Sequence, residues 1–178
     1  MNAAMINKLP PITTSRLLFH QWNPAMLNYA QRLWGNPEVS RYIATHGQFS
    51  REQIQERLEQ EICNQQQYQL QYWPLFTHDK HFIGCCGLRP RNLSQQIVEI
   101  GCHLLPEFWG LGYAAEAMIA VINYARKRGF SKLFAGHNPQ NHASQKMLQK
   151  LGFCYIGNEF YPPTGLDHPS YELNLALK

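Results

Sequence analysis

A chain of 178 residues, 44% of them hydrophobic, is long and apolar enough to bury a core without disulfides or a structural metal. Its formal net charge of +4 is too small and too dispersed to predict nucleic-acid binding. The five cysteines are odd in number and form no C-x-x-C pair, which predicts reduced thiols in a cytoplasmic protein and no bound metal. No apolar run reaches about eighteen residues, so no contact with a membrane is expected.

The first half of the chain predicts one strand, two helices and a hairpin. A strand is expected over 15–22 (SRLLFHQW). A helix follows over 23–39, with Asn23 as N-cap and Pro24 at the first helical position. Ser50 and Gln53 have capping-box spacing at the start of an amphipathic helix over 50–62. Strands are then expected over 68–77 and 81–89, joined by the polar turn THDK.

The second half alternates between strands and helices. It predicts strands over 96–105 and 131–137, helices over 112–128 and 141–152, and two closing strands over 153–161 and 170–177. The hairpin strands indicate antiparallel pairing, whereas the strand–helix–strand unit indicates a parallel pair. We therefore expect a single α/β domain over residues 1–178, with a mixed, mostly antiparallel seven-stranded sheet and helices on both faces.

The segment PEFWGLGYAAEA (106–117) places Gly110 and Gly112 where a helix begins. Bare backbone N–H groups at a helix N-terminus suit a phosphate or a pyrophosphate. A P-loop is excluded because Tyr113 and Ala114 replace its Lys and Ser/Thr. A dinucleotide fold needs an acid at the end of the next strand, and SKLFAGH (131–137) has none. The pyrophosphate of coenzyme A and a helix that merely begins with glycines both remain.

This segment resembles the acyl-CoA pyrophosphate loop of the GNAT acetyltransferase superfamily. NPQNHASQKMLQKLGF (138–153) is similar to the segment after strand five of that superfamily, and TSRLLFHQW resembles the first strand of its RimJ/RimL-like branch. WGNPEVSRYI also fits that branch, and the likeness covers about residues 13–176. It implies a GNAT fold and the direct transfer of an acetyl group from acetyl-CoA to a primary amine. The branch implies a protein N-terminus as acceptor.

The resemblance also implies which residues bind acetyl-CoA. The backbone of the glycine turn would hold the pyrophosphate, the backbone of the fourth strand would pair with the pantetheine arm, and Asn138, Asn141 and Ser144 would contact the pantetheine or the acceptor. Ser144 is expected near the sulfur, as a candidate catalytic residue. For Asn141 and Ser144 the alternatives are a plain N-cap and a helix residue without a ligand. The turn and strand residues concerned are Gly110, Leu111, Gly112, Tyr113, Ala114, Cys102, His103, Leu104 and Leu105.

Strand alternation places Glu99, Gly101 and His103 on the face of the fourth strand opposite to its apolar side chains. Glu99 is a candidate catalytic base, and Gly101 would leave an open floor beside it. The alternative for Glu99 is a cross-strand ion pair with Arg89 or Arg91. For His103 the alternative is an ordinary strand histidine. No cysteine has a companion base in these motifs, so no acyl-cysteine intermediate is predicted.

Two positions depart from the superfamily. Glu107 replaces a common Gln or Arg, and Leu148 replaces a tyrosine that protonates the leaving thiolate in many members. The second departure leaves a non-catalytic acyl-CoA sensor as an alternative, beside an acetyltransferase for a small amine such as an antibiotic or a polyamine. Acceptor specificity is expected in the loops around 35–50 and 157–169. A monomer or a homodimer is expected.

Overall fold

The computed structural model describes residues 12–176, which build one seven-stranded sheet covered by helices on both faces. The strands are β1 (Leu17–Phe19), β2 (Tyr72–Thr77), β3 (Phe82–Asn92), β4 (Ile97–Leu104), β5 (Lys132–Gly136), β6 (Cys154–Tyr161) and β7 (Leu166–Asn174). The helices are α1 (Leu27–Trp34), α2 (Pro37–Ser40), α3 (Arg51–Tyr68), α4 (Tyr113–Lys127) and α5 (His142–Lys150). No helix in this part of the chain is long and apolar enough to cross a membrane.

The sheet has the strand order β1-β2-β3-β4-β5-β7-β6. Only β4 and β5 run parallel among these strands, which confirms the expected mixed, mostly antiparallel sheet. Their pairing is short and joins Ile97, Val98 and Glu99 to the first residues of β5. β4 pairs with β3 as far as Leu104, so β4 has a strand on one side only after Glu99.

Two hydrophobic cores lie on opposite faces of the sheet. On one face, Ala117, Val121 and Ala125 of α4 are fully buried against the sheet. On the other, α1 and α3 bury Leu33 and Leu58. Burying a Val or Leu side chain contributes about 1.5–3 kcal/mol, so these stripes hold the helices on the sheet.

The helix expected over 23–39 is interrupted. Asn23 caps a single 3₁₀ turn through its side chain, as predicted, but α1 ends at Trp34. Asn36 accepts a second capping bond from the N–H of Glu38, and Pro37 begins the short helix α2. An asparagine N-cap followed by proline at the first helical position favours the start of a helix, so the chain starts a new helix here.

Two further boundaries differ from the sequence prediction. Helix α3 runs to Tyr68 instead of residue 62, because the glutamine-rich tract favours helix and extends it until Gln69 takes a left-handed conformation. The next strand therefore starts at Tyr72 instead of residue 68. The last strand begins at Leu166, four residues before the predicted start, and passes through Pro169, whose carbonyl accepts the N–H of His137. Its predicted last residue, 177, lies outside the described residues.

A buried ion pair ties α3 to the sheet. The carboxylate of Glu61 is fully buried and accepts a bond from Arg89 Nε of β3 at 2.8 Å. It also accepts the backbone N–H of Tyr72 at 2.8 Å. One carboxylate thus joins a helix to two strands.

Glu61→Gln should lower the free energy of unfolding by about 3–5 kcal/mol, because it leaves the Arg89 guanidinium without its buried counter-charge. Glu107→Gln is the matched control: it removes the ion pair with Arg32, in which both side chains are about half exposed (52% and 49%). That change should cost about 0.2–1 kcal/mol. Urea unfolding measures both values, and equal losses would contradict this account.

Candidate active site

The glycine turn links the end of β4 to the start of α4. One 3₁₀ turn, Pro106–Phe108, follows the strand, and the indole N–H of Trp109 donates to the carbonyl of Leu104 at 2.8 Å. Gly110 and Gly112 have φ of 74° and 83°, in the left-handed region that favours glycine. No side chain caps α4, which begins at Tyr113.

The backbone N–H groups of residues 110–115 donate to no other described residue. A Cβ added at Gly110 would meet nothing within 4 Å, so the turn is open to a ligand. Free N–H groups and the partial positive charge of a helix N-terminus together attract an anion. The turn therefore fits a diphosphate such as that of coenzyme A.

Arg16 anchors this turn and was not predicted as a site residue. Its Nη1 donates to the carbonyl of Leu111 at 3.0 Å, and its Nε donates to Glu116 at 2.6 Å. The guanidinium carbon also lies 4.4 Å above the ring of Tyr113. Burial alone would raise the pKa of Glu116, but hydrogen bonds from Thr14 and Arg16 lower it overall, so the pair stays charged. A separation of 100 positions between Arg16 and Glu116 leaves no spacing signal in the sequence.

The free edge of β4 lies beside the turn. The N–H of Leu105 donates to Ile83, which places the backbone groups of residues 103 and 105 towards β3. By alternation, the backbone groups of Cys102 and Leu104 point to the other side, where β5 has already separated from β4. The Leu104 carbonyl is taken by Trp109, so the N–H groups of Cys102 and Leu104 and the Cys102 carbonyl are left for a ligand.

Glu99 lies on the face of β4 that points away from α4, opposite to the apolar side chains of that strand, as alternation predicted. Its carboxylate accepts the hydroxyl of Tyr72 at 2.8 Å. Arg89 is its direct cross-strand partner but pairs with Glu61, and Arg91 pairs with Glu159. Neither of the two ion pairs considered as alternatives forms. Burial, and then the charge of Glu99, raise the pKa of Tyr72, so its phenol stays protonated as a donor at neutral pH.

The open floor expected at Gly101 is not there. A Cβ added at Gly101 would lie 2.4 Å from the Tyr72 hydroxyl oxygen, because the phenol reaches across β3 and covers this position. Because Gly101 has no side chain, the Tyr72 phenol fits over it and donates a hydrogen bond to Glu99.

His103 is a neutral histidine beside this pair. Its Nδ1 accepts the indole N–H of Trp34 at 3.3 Å, so the proton of the neutral ring belongs on Nε2. Burial, and then the charges of Arg57 and Arg89, hold the pKa of His103 well below its usual range. Cys85 Sγ lies 3.9 Å from the same Nδ1, but burial raises the pKa of Cys85 and keeps it a thiol. This contact gives no reactive thiolate.

The three predicted residues after β5 form one polar turn. Asn138 Oδ1 accepts the N–H of Gln140, and its Nδ2 donates to the carbonyl of Tyr42 at 3.4 Å. Asn141 caps α5 by accepting the N–H of Ser144. Ser144 Oγ makes no hydrogen bond to another described residue. Leu148, one turn later, is buried in the core. The contacts of Asn138, Asn141 and Ser144 with coenzyme A remain predictions.

Known proteins share both the sequence pattern and the fold. The acetyltransferase (GNAT) domain family matches residues 16–154. The uncharacterized protein YkkB of Bacillus subtilis is 32% identical over 128 residues, which are 69% of this chain and 72% of YkkB. The uncharacterized N-acetyltransferase YoaA of the same organism is 28% identical over 81% of this chain and 82% of its own.

Among solved structures, spermidine N-acetyltransferase from Vibrio cholerae, in complex with CoA and spermine, has a TM-score of 0.76 and 17% identity. The aligned region covers 91% of this chain and 97% of the Vibrio cholerae enzyme. RimL, a ribosomal L7/L12 α-N-protein acetyltransferase, has a TM-score of 0.78 and 15% identity, with 93% of each chain covered. At such low identities these two likenesses show the fold alone.

The chain belongs to the GNAT acetyltransferase family. It is an N-acetyltransferase that uses acetyl-CoA, with a GNAT fold. The free N–H groups of the glycine turn and the open edge of β4 fit the diphosphate and the amide-containing arm of that co-substrate.

Gly110→Ala should weaken acetyl-CoA binding about tenfold or more, because a Cβ would stand where the diphosphate approaches the free N–H groups. Gly129→Ala is a matched control with φ of 80° and nothing within 4 Å of its added Cβ, at the far end of α4. Both changes impose a left-handed strain of about 1–2 kcal/mol. Calorimetry with acetyl-CoA compares the dissociation constants, and equal weakening by the two variants would count against a binding turn.

Proposed function

We propose that the chain transfers the acetyl group of acetyl-CoA directly to the α-amine of a protein or peptide N-terminus, as in the RimJ/RimL-like branch. The observation that carries this proposal is the carboxylate of Glu99, which forms no ion pair within residues 12–176 and accepts a hydrogen bond from the neutral phenol of Tyr72. It lies on the face of β4 opposite to α4, within the same strand as the open edge.

Glu99 supplies the base. An α-amine has an unperturbed pKa near 8, about two units below that of lysine, so part of it is neutral at cytoplasmic pH. The base then has only to take one proton from the amine nitrogen during the transfer, directly or through one water, and a carboxylate is sufficient for that. The amine nitrogen bonds to the acetyl carbon as the carbon–sulfur bond breaks, and the amine proton passes to Glu99.

The backbone of β4 and the hydroxyl of Ser144 complete the chemistry. The free N–H groups of Cys102 and Leu104 can face the carbonyl oxygen, where negative charge develops. Ser144 Oγ has no partner among the described residues and is the candidate hydrogen-bond donor that stabilises the departing thiolate. The proton that Glu99 takes from the amine returns through solvent to the thiolate, which regenerates the carboxylate. Leu148 is buried and has no proton to give.

The N-terminal acceptor is favoured over a polyamine by the cations on the acceptor side of the sheet. Arg57 and Arg89 lie near His103 there and lower its pKa by their charge. A polyamine would bring further positive charge to this face. The fold is shared with both RimL and the spermidine acetyltransferase, so the shared fold does not separate the two classes of acceptor.

Glu99→Gln should lower kcat about 100-fold, since it removes the base but keeps an oxygen for the Tyr72 hydroxyl. The dissociation constant of acetyl-CoA should not change. Glu159→Gln, an exposed strand carboxylate paired with Arg91, is the control and should retain wild-type kcat. Release of free thiol measures both rates, and an unchanged kcat in Glu99→Gln would exclude Glu99 as the base.

Mass spectrometry of a peptide and amine panel incubated with acetyl-CoA tests the acceptor class. Peptides with a free N-terminus and no lysine should gain one acetyl group, and the same peptides with a blocked N-terminus should not. Acetylation of lysine side chains or of spermine alone would reject the N-terminal acceptor while leaving the acetyltransferase activity intact.

A further inference from the structure

An open cleft of about 440 Å³ lies between α3 and the loops that flank the acceptor side of the sheet. Thr45 and Phe49 line it from the α2–α3 loop, and Pro163 lines it from the β6–β7 loop. These are the two loops in which acceptor specificity is expected. Arg57 and Arg89 also line the cleft.

Arg57 forms no ion pair with any described residue. Its Nε is buried and has no hydrogen-bond partner, and its guanidinium donates to no other described residue. The guanidinium carbon lies 5.1 Å from the ring centroids of both Trp34 and Phe49, which hold it from two sides. Burial, and then the charge of Arg89, lower the pKa of Arg57, whereas the charge of Glu61 raises it in part. The guanidinium stays charged, and an anion beside it would offset the cost of burying that charge.

The two carboxylates near the cleft make no direct ion pair with Arg57. Glu61 is fully buried and engaged by Arg89 and by the backbone of Tyr72. Glu56 lines the cleft but is exposed, and it forms no ion pair with any described residue. Deep in the cleft, two guanidinium groups therefore face one carboxylate. An anion that enters would pair with Arg57 and could make two parallel bonds with its fork of N–H groups.

The cleft lies close to the acyl-transfer strand. Arg57 stacks on Trp34, and the indole of Trp34 bonds to His103, the residue next to Cys102. Arg89 lies 4.0 Å above the ring of Tyr72, whose hydroxyl bonds to Glu99. Only the side chain of Trp34 therefore lies between Arg57 and His103, and only that of Tyr72 lies between Arg89 and Glu99.

We propose that this cleft binds a carboxylate that the acceptor carries a few bonds from its reactive amine. The inference rests on the proposed function, because it assumes an amine acceptor on this face of β4. The same chemistry is present in a peptide that begins with Asp or Glu and in the α-carboxylate of a free amino acid.

Wild-type protein tests the proposal with pairs of acceptors that differ only in charge. One pair is a C-terminally amidated peptide beginning with Asp and its Asn counterpart, and the other is a free amino acid and its α-amide. In at least one pair, kcat/KM for the carboxylate should exceed that for the amide about tenfold, as expected for one charge-assisted pair. The pair that shows the difference identifies the source of the carboxylate.

Arg57→Gln should remove this preference. It should raise KM for the carboxylate acceptor about tenfold and leave the amide acceptor and the KM of acetyl-CoA unchanged. Arg57→Lys should keep part of the preference because it keeps the charge and loses the fork. Arg51→Gln removes the same charge from the exposed first turn of the same helix and should behave as wild type.

Wild-type protein also gives a measurement that does not depend on how the variants fold. Succinate, which has carboxylates and no amine, should inhibit in competition with the acceptor and not with acetyl-CoA, whereas succinamide should not inhibit. Equal kcat/KM within both acceptor pairs, or a preference for spermine, would overturn the carboxylate site while leaving acetyl transfer in place. If no amine releases thiol from acetyl-CoA, both the site and the proposed function are rejected.

Discussion

The separation of β4 from β5 after Glu99 is the constraint on which the site depends. A parallel pair that continued to Leu104 would satisfy the backbone groups of β4 and leave no edge for a co-substrate. Because the pair ends early, β4 keeps unpaired N–H and C=O groups in the middle of a sheet. The same strand runs into the glycine turn, so the open edge and the free N–H groups of α4 form one continuous surface.

The two faces of the sheet divide the work. On the α4 face, Val98, Ile100 and Leu104 are buried in the hydrophobic core, which holds β4 in place. On the other face, buried polar groups form a chain: Glu61 holds Arg89, Arg89 lies over Tyr72, and Tyr72 holds Glu99. Buried polar networks are costly unless each member is satisfied. Beside this chain of contacts, Arg57 Nε is buried and has no hydrogen-bond partner among the described residues. This contrast is why we assign a ligand to it.

Much of the fold could be read from the sequence because it depends on local signals. The capping box at Ser50, the cap at Asn141 and the turn at Gly110 and Gly112 are all present as predicted. The predicted length of α3 was wrong because glutamines carry no periodic apolar signal, although they favour helix. The predicted start of β7 was wrong because Pro169 is a breaker in most strands and here lies beyond the end of β5.

The site was predictable only where one element carries it. Alternation along β4 was enough to place Glu99 and His103 on one face. The contacts of Arg16 with Glu116, of Tyr72 with Glu99 and of Trp34 with His103 join positions 100, 27 and 69 residues apart. No local pattern links such residues, so the floor at Gly101 was expected to be open when Tyr72 in fact covers it.

The bond network of Arg16 also gives the start of the described chain an indirect role. β1 has only three residues and, among the described strands, pairs with β2 alone at the margin of the sheet, although its Leu17 and Phe19 are buried in the core. Its neighbour Arg16 nevertheless reaches the loop of the glycine turn, where we expect the diphosphate to bind. A protease that trimmed the chain to Leu17 would leave most of the sheet intact and release that loop. Damage at this end would therefore appear first as weakened co-substrate affinity, well before any loss of the folded state.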